Sequence, residues 1–137
     1  MIQKNTLNFD ERTLQEATAN AVGGVDRNVV DSIFIRIQDH FRKILFSDIL
    51  YIEASGSYCT FYLQAGAKAT VAYTLTDTMQ HLSKDLFIRV HRSYIVNKNH
   101  VVGYIGNIFY IGDQTVPIGR QYKKDALSRF NMLGTIS

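Results

Sequence analysis

The sequence withholds most of the marks by which a function class is read. Its 137 residues hold one cysteine, Cys59, so no internal disulfide can form. Cys59 lies in the strand-like YCTFYL and reads as a small buried apolar side chain rather than a reactive thiol. No apolar run approaches the roughly 18–20 residues of a membrane span. The opening stretch MIQKNTLNFDERTLQEATANAV lacks the apolar core of a signal peptide, so a cytoplasmic location is expected and no membrane partner. There is no GxxxxGK, no GxGxxG after a strand, no GxSxG, no HExxH and no CxxC. The histidines His40, His81, His91 and His100 form no short-spaced metal pair. No metal, cofactor or enzymatic activity is therefore expected.

What is present is a chain with 46% hydrophobic and 20% charged residues, the balance of one folded domain with a single core. Charge is unevenly spread. Residues 1–83 carry seven Lys/Arg against nine Asp/Glu, whereas residues 84–137 carry eight against three. A basic C-terminal half on a near-neutral chain suits a polyanion on one face.

Residues 1–31 read as a linker or leader, with FDERTLQEATANAV a candidate short helix that Asp10 would cap and GGVDRN would end. From Ser32 to the end the pattern is that of short strands. IFIRIQ, FRKILF, DILYIEAS, YCTFYLQ, AKATVAY, FIRVHRSYIV, HVVGYIGN, IFYI and TVPIG are the candidates. Ala65-Gly66 and Gly112-Asp113 supply hairpin turns. TLTDTMQHLSKDL predicts an inner helix capped by Thr74, with Leu75, Met79 and Leu82 on its core face. RQYKKDALSRFNML predicts a terminal helix whose apolar side is Tyr122, Ala126, Phe130 and Leu133. The expected fold is mostly β, an antiparallel domain with one short inner helix and a C-terminal helix. It lacks the βαβ alternation of a doubly wound enzyme and the helix pair of a helix-turn-helix protein.

Three donor-rich loops stand out. SGSY (Ser55 to Tyr58) has small residues that let a partner approach, or is an ordinary hairpin turn. In RVHRS (Arg89 to Ser93), alternation sends Arg89 and His91 outward if Ile88 and Val90 face the core. Arg92 and Ser93 then break the alternation and force a bend that thrusts Arg92 outward. A guanidinium there suits phosphate or guanine, and a solvated strand edge is the plain alternative. In GRQYKK (Gly119 to Lys124) a strand end meets a helix start. Its open amides suit a phosphate, while basic residues so early oppose the helix dipole. A solvated basic patch is the alternative there.

DILYIEASGSY, TLTDTMQHL, FIRVHRSYIVNKNHV and VPIGRQY, in this order, resemble the LytTR DNA-binding domain of bacterial response regulators, over about Ser32 to Phe130. The resemblance implies an elongated, mostly-β fold that binds double-stranded DNA through loops entering successive major grooves, without a recognition helix. It implies base contacts from Tyr58, Arg92 and Arg120. Ser57, Arg89, His91, Ser93, Lys98, Lys123 and Lys124 would contact the DNA backbone or support those residues. Asn97 reads as the holder of a turn.

Family members commonly carry an N-terminal receiver domain, which residues 1–31 are too few to form. The chain is thus read either as a stand-alone regulator or as the C-terminal piece of a longer protein, and no phosphoacceptor is expected in it. Two copies on adjacent direct repeats would fit the resemblance. The rival from another class is a protein-interaction or ligand-sensing β module on the same scaffold. RNA binding through Tyr51, Tyr58 and Tyr62 is a third reading, although alternation puts most of these near the core.

Overall fold

In β1 (Ser32–Ile37) Ile33, Ile35 and Ile37 alternate with Phe34 and Arg36, and the pleat turns the isoleucines inward. Ile35 is buried and Phe34 exposed. A two-residue turn returns the chain as β2 (His40–Leu45), paired antiparallel with β1. The structure is a computed structural model that describes residues 30–134; residues 1–29 of the expected linker or leader, with the candidate helix and its Asp10 cap, lie outside the described residues.

The same alternation, now apolar on both faces, builds a central five-stranded antiparallel sheet. Its strands are β3 (Ile49–Ser55), β4 (Tyr58–Leu63), β5 (Lys68–Val71), β6 (Phe87–His91) and β7 (Tyr94–Asn97), in the order β5-β4-β3-β7-β6. Between β5 and β6 lies α1 (Leu75–Met79). A three-stranded antiparallel sheet follows, of β8 (Gly103–Ile105), β9 (Ile108–Ile111) and β10 (Gln114–Pro117), ordered β10-β9-β8. The helix α2 (Arg120–Ser128) ends the ordered elements and packs along β6.

Two cores explain why strands such as β3 and β6 read as nearly continuous apolar runs. On one face of the central sheet Ile52, Phe61, Phe87 and Ile95 pack against the β1–β2 hairpin and α1. On the other, Tyr51, Ile88, Val90 and Val96 pack against Phe109, Ile111 and Val116 of the small sheet and Ala126 of α2. Phe46, Phe61, Phe87 and Phe109 are fully buried. Each such side chain contributes on the order of 1.5–3 kcal/mol relative to exposure. Cys59 is buried too, as expected; its thiol donates to the Tyr73 carbonyl at 2.8 Å, and burial pushes its pKa up.

Both helices are shorter than the sequence pattern predicts. Thr74 caps α1 through the Asp77 amide at 3.1 Å, as expected. The amides of His81 and Leu82 then bond to carbonyls only three residues back, at 3.0 and 3.2 Å. That tightened turn ends the helix at Met79 and tucks Leu82 into the core. In α2 the amides of Arg129 and Phe130 do the same toward Ala126 and Leu127. The helix stops at Ser128, so Phe130 still reaches Phe109, with ring centroids 5.4 Å apart, but Leu133 stands fully exposed instead of on the apolar side. The strand expected from His100 begins only at Gly103, because Lys98–His100 form a short 3-10 turn.

Candidate nucleic-acid interface

The hairpin β6–β7 turns at Arg92 and Ser93, next to a register shift between Arg89 and His91. Its polar residues are spent on the turn itself. Arg89 Nε donates to the His91 carbonyl at 2.9 Å, and Arg89 Nη2 to the Arg92 carbonyl at 2.5 Å. The Ser93 amide donates to His91 Nδ1 at 3.0 Å. Arg92 is left over: its side chain is exposed and has no hydrogen bond or ion pair among the described residues. A five-donor planar cation is thus held out on a rigid, internally satisfied turn.

The turn between β3 and β4 lies beside it. Gly56 takes the left-handed conformation, φ 60°, that this two-residue connection requires. The Ala54 amide donates to the Ser93 carbonyl at 2.9 Å, stitching the two turns together. A second tie is Glu53, whose carboxylate accepts from the Tyr62 hydroxyl at 3.1 Å and the Tyr94 hydroxyl at 2.7 Å. Burial, then the hydrogen bond to Glu53, pushes the Tyr94 phenol up to about 12; Tyr62 and Tyr51 are raised as well, burial again first. Ser57 and Tyr58 at the tip are exposed.

On the opposite flank the chain leaving β10 is pinned to β6. The Gly119 amide donates to the Val90 carbonyl at 2.7 Å. A Cβ on Gly119 would sit 3.2 Å from the Tyr122 ring and 3.4 Å from His91 Cα, so only glycine fits this approach without a shift. Arg120 is the first residue of α2 rather than part of the loop, and it is exposed. The first turn of α2 has no acidic residue and no side-chain cap; the Tyr122 amide donates to the Gly119 carbonyl at 3.0 Å, which leaves the Arg120 and Gln121 amides to meet an anion. Lys123 Nζ donates to Asn107 Oδ1 at 2.8 Å, while Lys124 is exposed without a partner among the described residues.

A family model, the LytTr DNA-binding domain, matches residues 39–131, from the end of the first hairpin turn to just past α2. The chain belongs to the LytTR family. Among solved structures it is similar to a LytTr DNA-binding domain from Bacillus cereus, part of a protein described as a methyl-accepting/DNA response regulator. The two share 24% identity and a TM-score of 0.64, over 74% of this chain and 97% of that one. At that identity the likeness speaks for the fold, which is mostly β with antiparallel sheets and two helices as expected. LytTR domains are DNA-binding domains of transcription regulators, and residues 39–131 of this chain form one. No described helix is long and apolar enough to cross a membrane, and no described cluster of His, Cys, Asp or Glu could hold a metal ion.

Within this LytTR domain the β3–β4 and β6–β7 turns, with Ser57, Tyr58, Arg92 and Ser93, lie side by side at one end of the central sheet, and the Gly119–Val90 hydrogen bond sets Arg120 beside the end of β6. Arg89 and His91 lie behind them as braces. Lys98 does not join them. It follows the far end of β7, its amide donates to the Leu86 carbonyl at 2.6 Å, and its Nζ lies 5.9 Å from the Phe130 ring centroid. Asn97 holds its turn: buried, it donates to the Phe46 and Ile49 carbonyls, both at 2.9 Å, and accepts from the Asn99 amide at 3.0 Å. One neighbour of the interface was not singled out from the sequence. Asn107, in the β8–β9 turn, accepts from both Lys123 and the Ile118 amide, the latter at 2.7 Å. The Gly-Asn pair at 106–107 is a hairpin signal, and reading it as one would have ended the strand there.

Proposed function

We propose that this LytTR domain reads a specific sequence in double-stranded DNA, with Arg92 and Arg120 contacting base edges in major grooves and Tyr58, beside Ser57, supplying the third tip. The observation that carries the reading is the pair of exposed guanidinium groups, unpaired among the described residues, on two chain segments joined by the Gly119–Val90 hydrogen bond. A guanidinium offers guanine two parallel donors, the commonest specific contact in a major groove. Ser93, Lys123, Lys124 and the Arg120 and Gln121 amides at the start of α2 are suited to phosphates, which set register and orientation without reading sequence. Arg89 and His91 support the central turn, and Lys98 contributes nothing at this end of the sheet. Two copies on adjacent direct repeats, and an upstream receiver domain where the polypeptide carries one, would complete a regulator of this type.

The test is fluorescence anisotropy of the chain on duplex DNA enriched from a random pool through rounds of binding, with salt titrated. An enriched motif, bound at least about a thousandfold tighter than bulk DNA, is the expected outcome. Weak binding with no enrichment would sink the reading and point to a partner-binding module on the same scaffold.

A further inference from the structure

We propose that the cleft between β1, the end of β5 and α1 binds a small zwitterion with a single aromatic ring, of the aromatic amino-acid class. The cavity measures about 220 Å³. An apolar cavity of roughly 150 Å³ takes benzene, so this space suits one ring with a short polar tail. Its floor is apolar, with Ile35, Phe61 and Val71 all buried.

The rim carries one charge of each sign. Arg36 of β1 uses Nε on the Gln38 carbonyl at 3.2 Å, which leaves its two terminal nitrogens for a carboxylate. Asp77 of α1 gives its backbone amide to Thr74, but its carboxylate has no hydrogen bond or ion pair among the described residues. His81, four residues on, flanks it on the same rim, and its ring is equally unengaged among the described residues. A ligand of one sign would leave either Arg36 or Asp77 facing apolar ligand surface, partly stripped of water, and that costs free energy. A ligand bearing both an ammonium and a carboxylate satisfies both. An apolar body with a few convergent polar groups is the usual make-up of a small-molecule site.

This site is distinct from the loop tips, and its test needs no DNA, so it stands or falls apart from the DNA reading. The test is an amide NMR titration of the whole chain with three probes: L-phenylalanine, 2-phenylethylamine and 3-phenylpropanoate. Saturable shifts centred on Arg36, Val71 and Asp77 are expected with L-phenylalanine, and binding about tenfold weaker with either single-charge probe. Arg36→Gln and Asp77→Asn should each weaken L-phenylalanine binding by about tenfold, in spectra that otherwise retain the wild-type dispersion. No saturable shift up to about ten millimolar, or saturable shifts elsewhere, would overturn the site. Equal binding of a single-charge probe, or unchanged binding in both variants, would overturn the ligand class.

Discussion

The Arg89 guanidinium closes on the Arg92 carbonyl at 2.5 Å and on the His91 carbonyl at 2.9 Å, so one arginine fixes the backbone from which the other projects. Replacing Arg89 by Met should therefore act through geometry. Hydrogen bonds from a charged group are worth roughly 1.5–3 kcal/mol, and losing them should loosen the turn. Specific DNA affinity is expected to fall about tenfold while the slope of log K against log salt stays unchanged. A slope shallower by about 0.9 would instead make Arg89 a phosphate ligand.

Arg92→Ala and Arg120→Ala should each cost on the order of 1–3 kcal/mol of specific binding and relax preference at a separate base position. Lys124→Ala should weaken binding to every sequence alike and make the salt slope shallower by about 0.9. Anisotropy on the selected site and its single-base variants separates the two effects. If Arg92→Ala leaves the base preference intact, Arg92 is not a reader.

Gly119→Ala places a methyl 3.4 Å from His91 Cα, a backbone atom that cannot swing away. Overpacking costs typically about 1–3 kcal/mol, and alanine is a poorer N-cap than glycine. The urea midpoint should drop accordingly. DNA affinity should drop further than stability alone explains, because the shift separates Arg120 from Arg92. Equal stability in the variant would show that the approach has slack.

The Tyr94 phenol, raised from 10.0 to about 12, stays protonated in the fold when the unfolded chain would already release its proton. Its contribution is therefore fully present below about pH 10 and is lost as pH rises toward 12. Tyr94→Phe should lower stability at neutral pH by about 1 kcal/mol and flatten the decline between those two values. Urea titrations of both proteins across that range check this. Parallel declines would mean that other groups govern the alkaline limb.

Much of this was legible because strands announce themselves by alternation and turns by their residues. Gly112-Asp113 and Ala65-Gly66 lie where antiparallel strands reverse, as their composition predicts. The exposure of Arg92 followed from a broken alternation, and the burial of Cys59 from its apolar neighbours. What could not be read was partnership between segments far apart in the chain. Nothing local in Glu53 says that it accepts from Tyr94, 41 residues on. Nothing local in Gly119 says that its amide meets Val90. Helix ends were overrun for a related reason: the apolar spacing of Leu82 and Phe130 suits a helix, yet tertiary packing claimed both side chains from a tightened turn.

Both faces of the central sheet are covered, one by the β1–β2 hairpin and α1, the other by the small sheet and α2. Contact with a large partner at the end of this sheet is therefore left to its rim, where the tips come from three distant stretches of sequence. Tip residues such as Arg92 and Arg120 bury nothing and hold nothing up. A lineage could exchange them one at a time while keeping the scaffold, so that what the rim meets and how firmly the protein folds can drift independently.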